Sequence, residues 1–245
     1  AVRIHMVNTS SVAVAHVPTP RGAVEYEGDA RIDGVPGTAA AISLDFLDVA
    51  GSSCGVLLPT GAALDRVDDI EVTCIDNGMP VVLMRAADLG KTGAESAQEL
   101  EADAALNARI ERIRLALGPR MRLGEVAKKT VPKMCLIAPA RHGGSIGTRS
   151  FIPHRVHESI GVLGAVSVAT ACLAPGSVAA SVAAVAPGAG THRLDIEHPS
   201  GFFTVEMEVD FVDGRLLVRR SALLRTARKL MQGSVFVPAA AWSGT

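Results

Sequence analysis

The chain has 245 residues, of which 48% are hydrophobic, 20% charged and 3% aromatic, and its formal net charge is −1. This length allows one large domain or two modest ones, and the composition is that of a globular protein. The near-zero charge and the scarcity of aromatic rings argue against a nucleic-acid-binding surface, which uses basic patches and stacking platforms.

The four cysteines, Cys54, Cys74, Cys135 and Cys172, are scattered and include no Cys-x-x-Cys pair. This spacing favours reduced thiols in a cytoplasmic protein over disulfides or a zinc site. The first ten residues lack the basic segment and apolar run of a signal peptide. They also lack an initiator Met and begin in a predicted strand, which favours a piece of a longer protein.

The first fifty residues predict β-structure. Period-two alternation indicates four short strands, at residues 2–7, 11–17, 22–26 and 42–47. Each strand is apolar on one face, so this part of the chain needs a second layer to cover it. The Gly- and Ser-rich residues 51–55 predict a flexible link and a domain boundary.

Asn77 and Gly78 separate two strongly apolar strands, which we predict at residues 70–75 and 81–84. An Asn-Gly pair favours a tight turn, and this one would lie beside the core. Two interpretations stay open from the pattern alone. The turn is either a plain hairpin connection, or a place where bare N–H groups and the Asn77 amide contact a ligand.

Residues 96–117 predict an amphipathic helix to which we assign no chemistry. Ser96 and Glu99 have the spacing of a capping box, and Gly118-Pro119 predicts the end of the helix. A strand is predicted at residues 131–137. The glycine-rich loop that follows, residues 141–149, has no Gly-Lys-Ser/Thr and so is not a Walker motif.

The most informative stretch is an apolar helix predicted at residues 159–174, with Ser159 as its N-cap. Its residues 162–173 carry no charge on any side, so the helix should be buried all round. It is too short to span a membrane, which takes about 20 apolar residues. Pro175-Gly176 ends it.

The residues just before this helix are polar and basic: Arg149, His154, Arg155, His157 and Glu158. A helix N-terminus next to cations suits a carboxylate or a developing enolate. An ordinary capped core helix with solvated flanks is the alternative. His154 and His157, together with Glu158, also have spacing for a metal site, but no further ligand is evident and we expect no metal.

The C-terminal part again predicts strands, at residues 193–198, 202–209, 216–219 and 235–237. Asp213-Gly214 predicts a hairpin turn between the second and third of these. Residues 221–232 fit either a helix capped by Ser221 or a continuation as strand and turn. Many strands around one buried helix predict an α+β, mostly β fold in which a curled sheet wraps around that helix.

Nucleophilic chemistry finds little support. Cys172 lies deep in the apolar helix and is expected to be an inert core thiol. Cys54 and Cys74 lie near predicted turns, where exposure is open to both, but neither has an evident cationic setting that would favour the thiolate.

Four segments of this sequence carry a resemblance: residues 30–48, 72–82 (VTCIDNGMPVV), 131–139 and 148–171 (TRSFIPHRVHESIGVLGAVSVATA). Together they resemble the PrpF family. The resemblance runs over essentially the whole chain. The PrpF family includes 4-oxalomesaconate tautomerases and aconitate isomerases of the diaminopimelate-epimerase-like fold. It implies two similar halves, each a strand barrel around a central helix, with the active site in the cleft between them.

On this resemblance, residues 1–50 and 233–245 complete a truncated first half, and residues 51–232 form the second half. The resemblance also favours strand and turn at residues 221–232. It implies a cofactor-independent proton shift in a small unsaturated di- or tricarboxylic acid. The substrate-binding residues would be Asn77, Gly78 and Met79 on one wall and Arg149, His154, His157, Ser159, Ile160 and Gly161 on the other.

The sequence departs from the PrpF family in one respect. Family chains carry a further N-terminal portion with the first central helix, an Asn-Cys-Gly-Asn motif and a lysine base, and this sequence does not contain it. No catalytic residue is therefore assigned, and we expect residues 1–245 by themselves to lack the base.

Two other functions remain open. An amino-acid epimerase or racemase of the same fold uses a thiol at each helix start, and here that start reads Ser159-Ile160-Gly161. A truncated, non-catalytic binding domain is the other, and its exposed apolar strands would favour aggregation or a homodimer.

Overall fold

The computed structural model describes residues 1–7, 11–47, 49–238 and 240–241. The strands are β1 (Val2–Met6), β2 (Ser11–His16), β3 (Ile42–Leu47), β4 (Asp65–Val67), β5 (Ile70–Asp76), β6 (Pro80–Arg85), β7 (Lys133–Ala138), β8 (Ile146–Phe151), β9 (Gly190–His198), β10 (Gly201–Val212) and β11 (Arg215–Arg225). The helices are α1 (Ala97–Ala102), α2 (Ala104–Arg120) and α3 (Val162–Leu173), with short 3-10 turns at Pro20–Gly22 and Ala86–Leu89.

All of these strands belong to one sheet, in the order β1-β2-β3-β11-β10-β9-β8-β7-β6-β5-β4. The β6–β7 and β8–β9 pairs are parallel, and the other neighbours are antiparallel. Helix α3 packs against β5 and β6 near one end of this order and against β9, β10 and β11 further along it. Strands so far apart in a sheet can contact one helix only if the sheet curves, so the predicted sheet wrapped around a buried helix is confirmed.

Helix α3 forms the centre of the larger core because every residue from Ala165 to Leu173 is buried. Helix α2 covers the opposite face of β5–β8, where Ile110, Ile113 and Leu117 join a second core. Successive residues of β6 therefore alternate between the two cores. Strands covered on both faces read as continuous apolar runs, which is the pattern of residues 70–75 and 81–84.

Several sequence predictions are confirmed at the level of single elements. The Asn77-Gly78 turn joins antiparallel β5 and β6, and Asp213-Gly214 joins β10 and β11. Ser96 and Glu99 form the capping box of α1, with both reciprocal hydrogen bonds present. These are local signals, and each one depends on a few adjacent residues.

The predicted single helix at residues 96–117 is wrong in two respects. The structure has two helices, because Asp103 leaves helical geometry and its carboxylate accepts the N–H of Leu106 to cap α2. Helix α2 also continues through Gly118-Pro119 to Arg120. Gly118 is there for packing and not as a C-cap, since a Cβ would lie 2.4 Å from the Val126 side chain.

Three other predictions are corrected. No strand forms at residues 22–26, which follow a 3-10 turn and are largely exposed. The helical interpretation of residues 221–232 is wrong, because residues 221–225 pair with β3 and residues 226–232 have no regular structure. No strand forms at residues 235–237 either, where the Phe236 side chain is 94% exposed and so has no packing to order it.

The division of the chain at residues 51–55 stays a prediction. The strands before it, β1–β3, continue into the same sheet through β11. The joining of residues 233–245 to the first part also stays a prediction. Residues 239 and 242–245 of that segment lie outside the described residues.

Ser167 offers a test of how α3 is fixed to the sheet. Its hydroxyl donates to the Met79 carbonyl (2.7 Å) and accepts the Asn77 N–H (3.0 Å), both from the β5–β6 turn. Ser167→Ala leaves two buried backbone groups unpaired, so we expect the free energy of unfolding to fall by about 2–3 kcal/mol in urea titrations. The control Ser181→Ala removes an exposed hydroxyl and should change it by less than about 0.5 kcal/mol. Equal effects of the two substitutions would contradict this role.

Candidate active site

A cleft of about 480 Å³ opens beside the start of α3. Ser159, Ile160 and Val162 line it from the approach to the helix. The ends of three strands complete the wall, through Arg193, Asp195 and His198 of β9, Phe202, Phe203 and Thr204 of β10, and Leu224 and Arg225 of β11. The loop residues Arg31, Ile32, Asp33 and Gly143 also line it. The cleft is therefore where several strand ends and one helix N-terminus converge.

Helix α3 begins later than the sequence predicts. Its N-cap is Gly161, with φ −67° and ψ 142°, and no side chain caps it. The prediction of Ser159 as N-cap is therefore wrong, since the first intrahelical bond runs from the Ala165 N–H to the Gly161 carbonyl (2.9 Å). An N-terminus without a side-chain cap leaves early N–H groups available at the cleft.

Arg225 is the cation most closely built into this cleft. Its guanidinium stacks over the Phe203 ring at 4.4 Å from the centroid and donates to the Leu224 carbonyl (3.2 Å). Burial lowers the pKa of Arg225, and no carboxylate of the described residues pairs with it. A partly desolvated guanidinium without an anionic partner is suited to a carboxylate ligand.

A second, smaller cleft of about 240 Å³ lies next to the first and shares His198 and Phe202 with it. Arg141, His142 and Arg149 line it. Arg149 donates to the carbonyls of Glu95 (2.6 Å) and Thr148 (2.8 Å), and burial is the main cause that lowers its pKa. The predicted site residue Arg149 therefore lies at the second cleft, not at the first.

The glycine-rich loop before β8 is held by Glu197 of β9. The Glu197 carboxylate accepts the N–H groups of Arg141 (2.7 Å), His142 (2.7 Å) and Gly144 (2.9 Å). A Cβ on Gly144 would lie 2.6 Å from the Glu197 side chain, which explains the glycine. This loop binds an anion as glycine-rich loops do, but the anion is a carboxylate of the protein itself.

The other predicted cations do not converge on the start of α3. His154 is exposed and near Glu111 of α2, and neither cleft includes it. His157 lies behind Ser159, whose N–H donates to its Nδ1 atom (3.0 Å). Arg155 reaches away to Glu101 (3.2 Å). We predicted these side chains as one group because they are close in sequence, but the chain turns at residues 152–155 and they point in different directions.

Asn77, Gly78 and Met79 pack against α3 between Leu163 and Thr170 and do not line the first cleft. The Asn77 amide donates to the hydroxyls of Thr170 (2.8 Å) and Ser221 (3.1 Å) and is fully buried. Gly78 has φ +90° and abuts the Leu163 side chain. These contacts are structural ones, and ligand binding by this turn stays a prediction.

All four cysteines are buried, so the exposed position left open for Cys54 and Cys74 is excluded. Burial raises the pKa of Cys54, Cys74, Cys135 and Cys172 to about 12, which keeps each as a neutral thiol. Cys54 is drawn inward because Asp76 accepts the N–H groups of Ser53 (2.8 Å) and Cys54 (2.7 Å).

Sequence reasoning missed the residues that shape the two clefts, chiefly Glu197, His198, Phe203 and Arg225. A signal was present for His198, because the sequence Pro199-Ser200-Gly201 after it predicts a turn at a strand end. No sequence signal pointed to Arg225, because the secondary structure of residues 221–232 was open between helix and strand.

Glu197 makes a testable link between pH and the loop. Burial favours a raised pKa for Glu197, but the backbone hydrogen bonds from Arg141, Gly144 and His142 outweigh it, and the pKa lies below its ordinary value of 4.5. Its stabilisation is thus complete above the unfolded pKa and lost as the pH falls through the lowered folded value. Glu197→Gln should lower the free energy of unfolding by about 1–3 kcal/mol at neutral pH.

The measurement is urea unfolding of both proteins at about pH 7 and about pH 4, where the difference should shrink. Glu208→Gln, an exposed carboxyl of β10, is the control and should show little change at either pH. A difference for Glu197→Gln that grows as the pH falls would contradict the assignment.

The chain matches the family model described as PrpF protein over residues 1–238. It is 58% identical over 243 residues to the 4-oxalomesaconate tautomerase of Pseudomonas putida, covering 99% of this chain and 66% of that protein. It is 60% identical over 236 residues to the (4E)-oxalomesaconate Delta-isomerase of Novosphingobium sp., covering 96% of this chain and 65% of that protein. The chain thus spans about two thirds of the length of these relatives.

A solved structure agrees with the fold. The crystal structure of a methylitaconate-delta-isomerase superposes with a TM-score of 0.83 at 27% sequence identity, covering 100% of this chain and 67% of that one. Together with the match over residues 1–238, this similarity gives the chain its classification. The chain belongs to the PrpF family.

Proposed function

We propose that the protein containing this chain is a cofactor-independent isomerase or tautomerase that moves a proton, and with it a double bond, in a small unsaturated di- or tricarboxylic acid. The observation that supports this most is Arg225, a desolvated cation without a carboxylate partner in the cleft beside the start of α3. Relatives that are named as isomerases of such acids support the same class of reaction.

The chemistry requires that a base remove a proton from a carbon next to a carbonyl or carboxylate, and that the resulting negative charge be held. Cations and backbone N–H groups around a sheltered cleft hold such charge, because they are already oriented when it develops. We assign Arg225 and the start of α3, at Ile160 and Gly161, to this task. We assign no residue of this chain as the base.

The identity of the acid is a further proposal. Relatives named for 4-oxalomesaconate are 58% and 60% identical to this chain, whereas the 2-methyl-aconitate isomerase of Shewanella oneidensis is 30% identical. We therefore propose 4-oxalomesaconate ahead of an aconitate. Among the described residues no helix is long and apolar enough to cross a bilayer. We propose a cytoplasmic location and a homodimer, with no nucleic-acid or membrane partner.

The epimerase alternative is less well supported. A racemase of this fold needs a thiolate at the helix start, but Ser159 and Ile160 stand there and all four cysteines are buried neutral thiols. Only an activity assay distinguishes the enzyme from the third possibility, a truncated and non-catalytic binding domain.

The test compares the full-length protein and residues 1–245 in ultraviolet absorbance assays with 4-oxalomesaconate and trans-aconitate. We expect turnover of 4-oxalomesaconate by the full-length protein and none by residues 1–245. No turnover of either acid by the full-length protein would overturn the proposed substrate class. Turnover abolished by alkylation of a cysteine in this chain would favour the epimerase instead.

Arg225→Met tests the proposed carboxylate contact. Loss of a hydrogen-bonded charge pair with the substrate should raise KM by about ten- to a hundredfold. Arg219→Met is the matched control, because Arg219 lies on the same strand, is exposed and pairs with Asp210 (3.3 Å). The control should change KM by less than about twofold, since exposed ion pairs contribute little. Equal effects of the two substitutions would show that only overall charge matters.

A further inference from the structure

His198 stands in the wall between the two clefts, as the last residue of β9. It is half-buried, and both of its ring nitrogens have hydrogen-bond partners. The Nδ1 atom lies 3.3 Å from both the backbone N–H and the hydroxyl of Ser200. The Nε2 atom lies 3.3 Å from the hydroxyl oxygen of Ser159.

These contacts select one tautomer of His198. A backbone N–H can only donate, so the Ser200 N–H requires Nδ1 to be an acceptor without a proton. The Ser200 hydroxyl can donate its proton either to Nδ1 (3.3 Å) or to the Glu158 carbonyl (2.8 Å), so it does not require a proton on Nδ1. The proton of a neutral His198 must then lie on Nε2, and the Nε2–H donates to the Ser159 hydroxyl oxygen.

This tautomer of His198 determines the direction in which the Ser159 hydroxyl donates. Its oxygen accepts from His198, and its N–H is committed to His157 Nδ1 (3.0 Å). Among the described residues the Ser159 hydroxyl proton has no acceptor, and Ser159 lines the first cleft. A serine that accepts from a fixed donor presents its own proton elsewhere, and here the open direction is the cleft.

We infer that His198 is a positioning residue: it holds Ser159 as a hydrogen-bond donor into the cleft, toward a carboxylate or enolate oxygen of the bound acid. The inference rests on the proposed function for the identity of that oxygen. His198 itself does not need to touch the substrate, because it acts through the Ser159 hydroxyl.

The contact of Nδ1 with the Ser200 N–H holds only while His198 is neutral. A second proton would sit on Nδ1 and face the Ser200 N–H, which removes that contact. Burial is the main cause that lowers the pKa of His198, and the nearby His157 and Arg149 lower it further. A backbone hydrogen bond with Phe202 and the Asp33 carboxylate, which accepts the Phe202 N–H (2.8 Å), oppose this shift of the His198 pKa. The imidazolium keeps its Nε2–H, so Ser159 remains a donor into the cleft in either protonation state of His198.

The first test needs no activity. Long-range ¹H–¹⁵N spectra of the full-length protein, assigned with His198→Gln, report which ring nitrogen carries the proton. We expect Nε2–H at neutral pH. A proton on Nδ1 in the neutral ring would overturn the inference, and this result is independent of whether the proposed reaction occurs.

The second test uses two substitutions and a control. Glutamine places an amide donor close to the Nε2 position but does not titrate, whereas leucine has no donor. We expect His198→Leu to lower kcat/KM by about ten- to a hundredfold, and His198→Gln to restore most of it. His192→Gln, on the same strand and bonded to the Gly188 carbonyl, should retain the rate.

Binding of the saturated acid tricarballylate, followed by calorimetry, separates this inference from the proposed reaction. Ser159→Ala and His198→Leu should weaken binding to a similar extent, and the double variant should be no weaker than either one. Additive losses in the double variant would mean that His198 acts independently of Ser159 and would overturn the positioning role.

Discussion

Helix α3 is buried on every side, and the rest of the structure depends on this constraint. A helix without a polar face must be covered all round, and here the cover is one sheet that curves around it. The small side chains of α3 let the strands approach closely. Its two buried polar residues, Ser167 and Thr170, meet the β5–β6 turn at Asn77. Packing and hydrogen bonding thus set the rotation of the helix together.

The curvature of the sheet also makes the clefts. Strands β9 and β11 end near the N-terminus of α3 and β10 begins there, so residues at these strand ends surround the place where the helix has no side-chain cap. Residues far apart in sequence, such as Ser159, His198 and Arg225, meet there. The Glu197 carboxylate already accepts hydrogen bonds from the loop at residues 141–144. Arg225 has no carboxylate partner among the described residues, so its positive charge remains available to an anionic ligand.

The buried turn at Asn77 shows how a residue can have more than one interpretation from sequence. An Asn-Gly pair beside the core fits a hairpin and a ligand contact equally well. In the structure the Asn77 amide donates to Thr170 and Ser221, so its donors serve the core. The four cysteines also serve the core, since all of them are buried and burial makes a thiol a poor nucleophile. Any proton transfer at this site must therefore use other groups.

The sequence by itself determined the strands with alternating or continuous apolar patterns, the capping box at Ser96, the two Gly-containing hairpin turns and the fully buried helix, because these depend on neighbouring residues. It also carried the resemblance to the PrpF family. Only the tertiary structure decided that α3 begins at Val162, that His154 and Arg155 turn away from it, and that Arg225, His198 and Glu197 define the clefts. The physical reason is that strand register and sheet curvature bring together residues that are 39 to 169 positions apart in sequence, and no local pattern encodes such a contact.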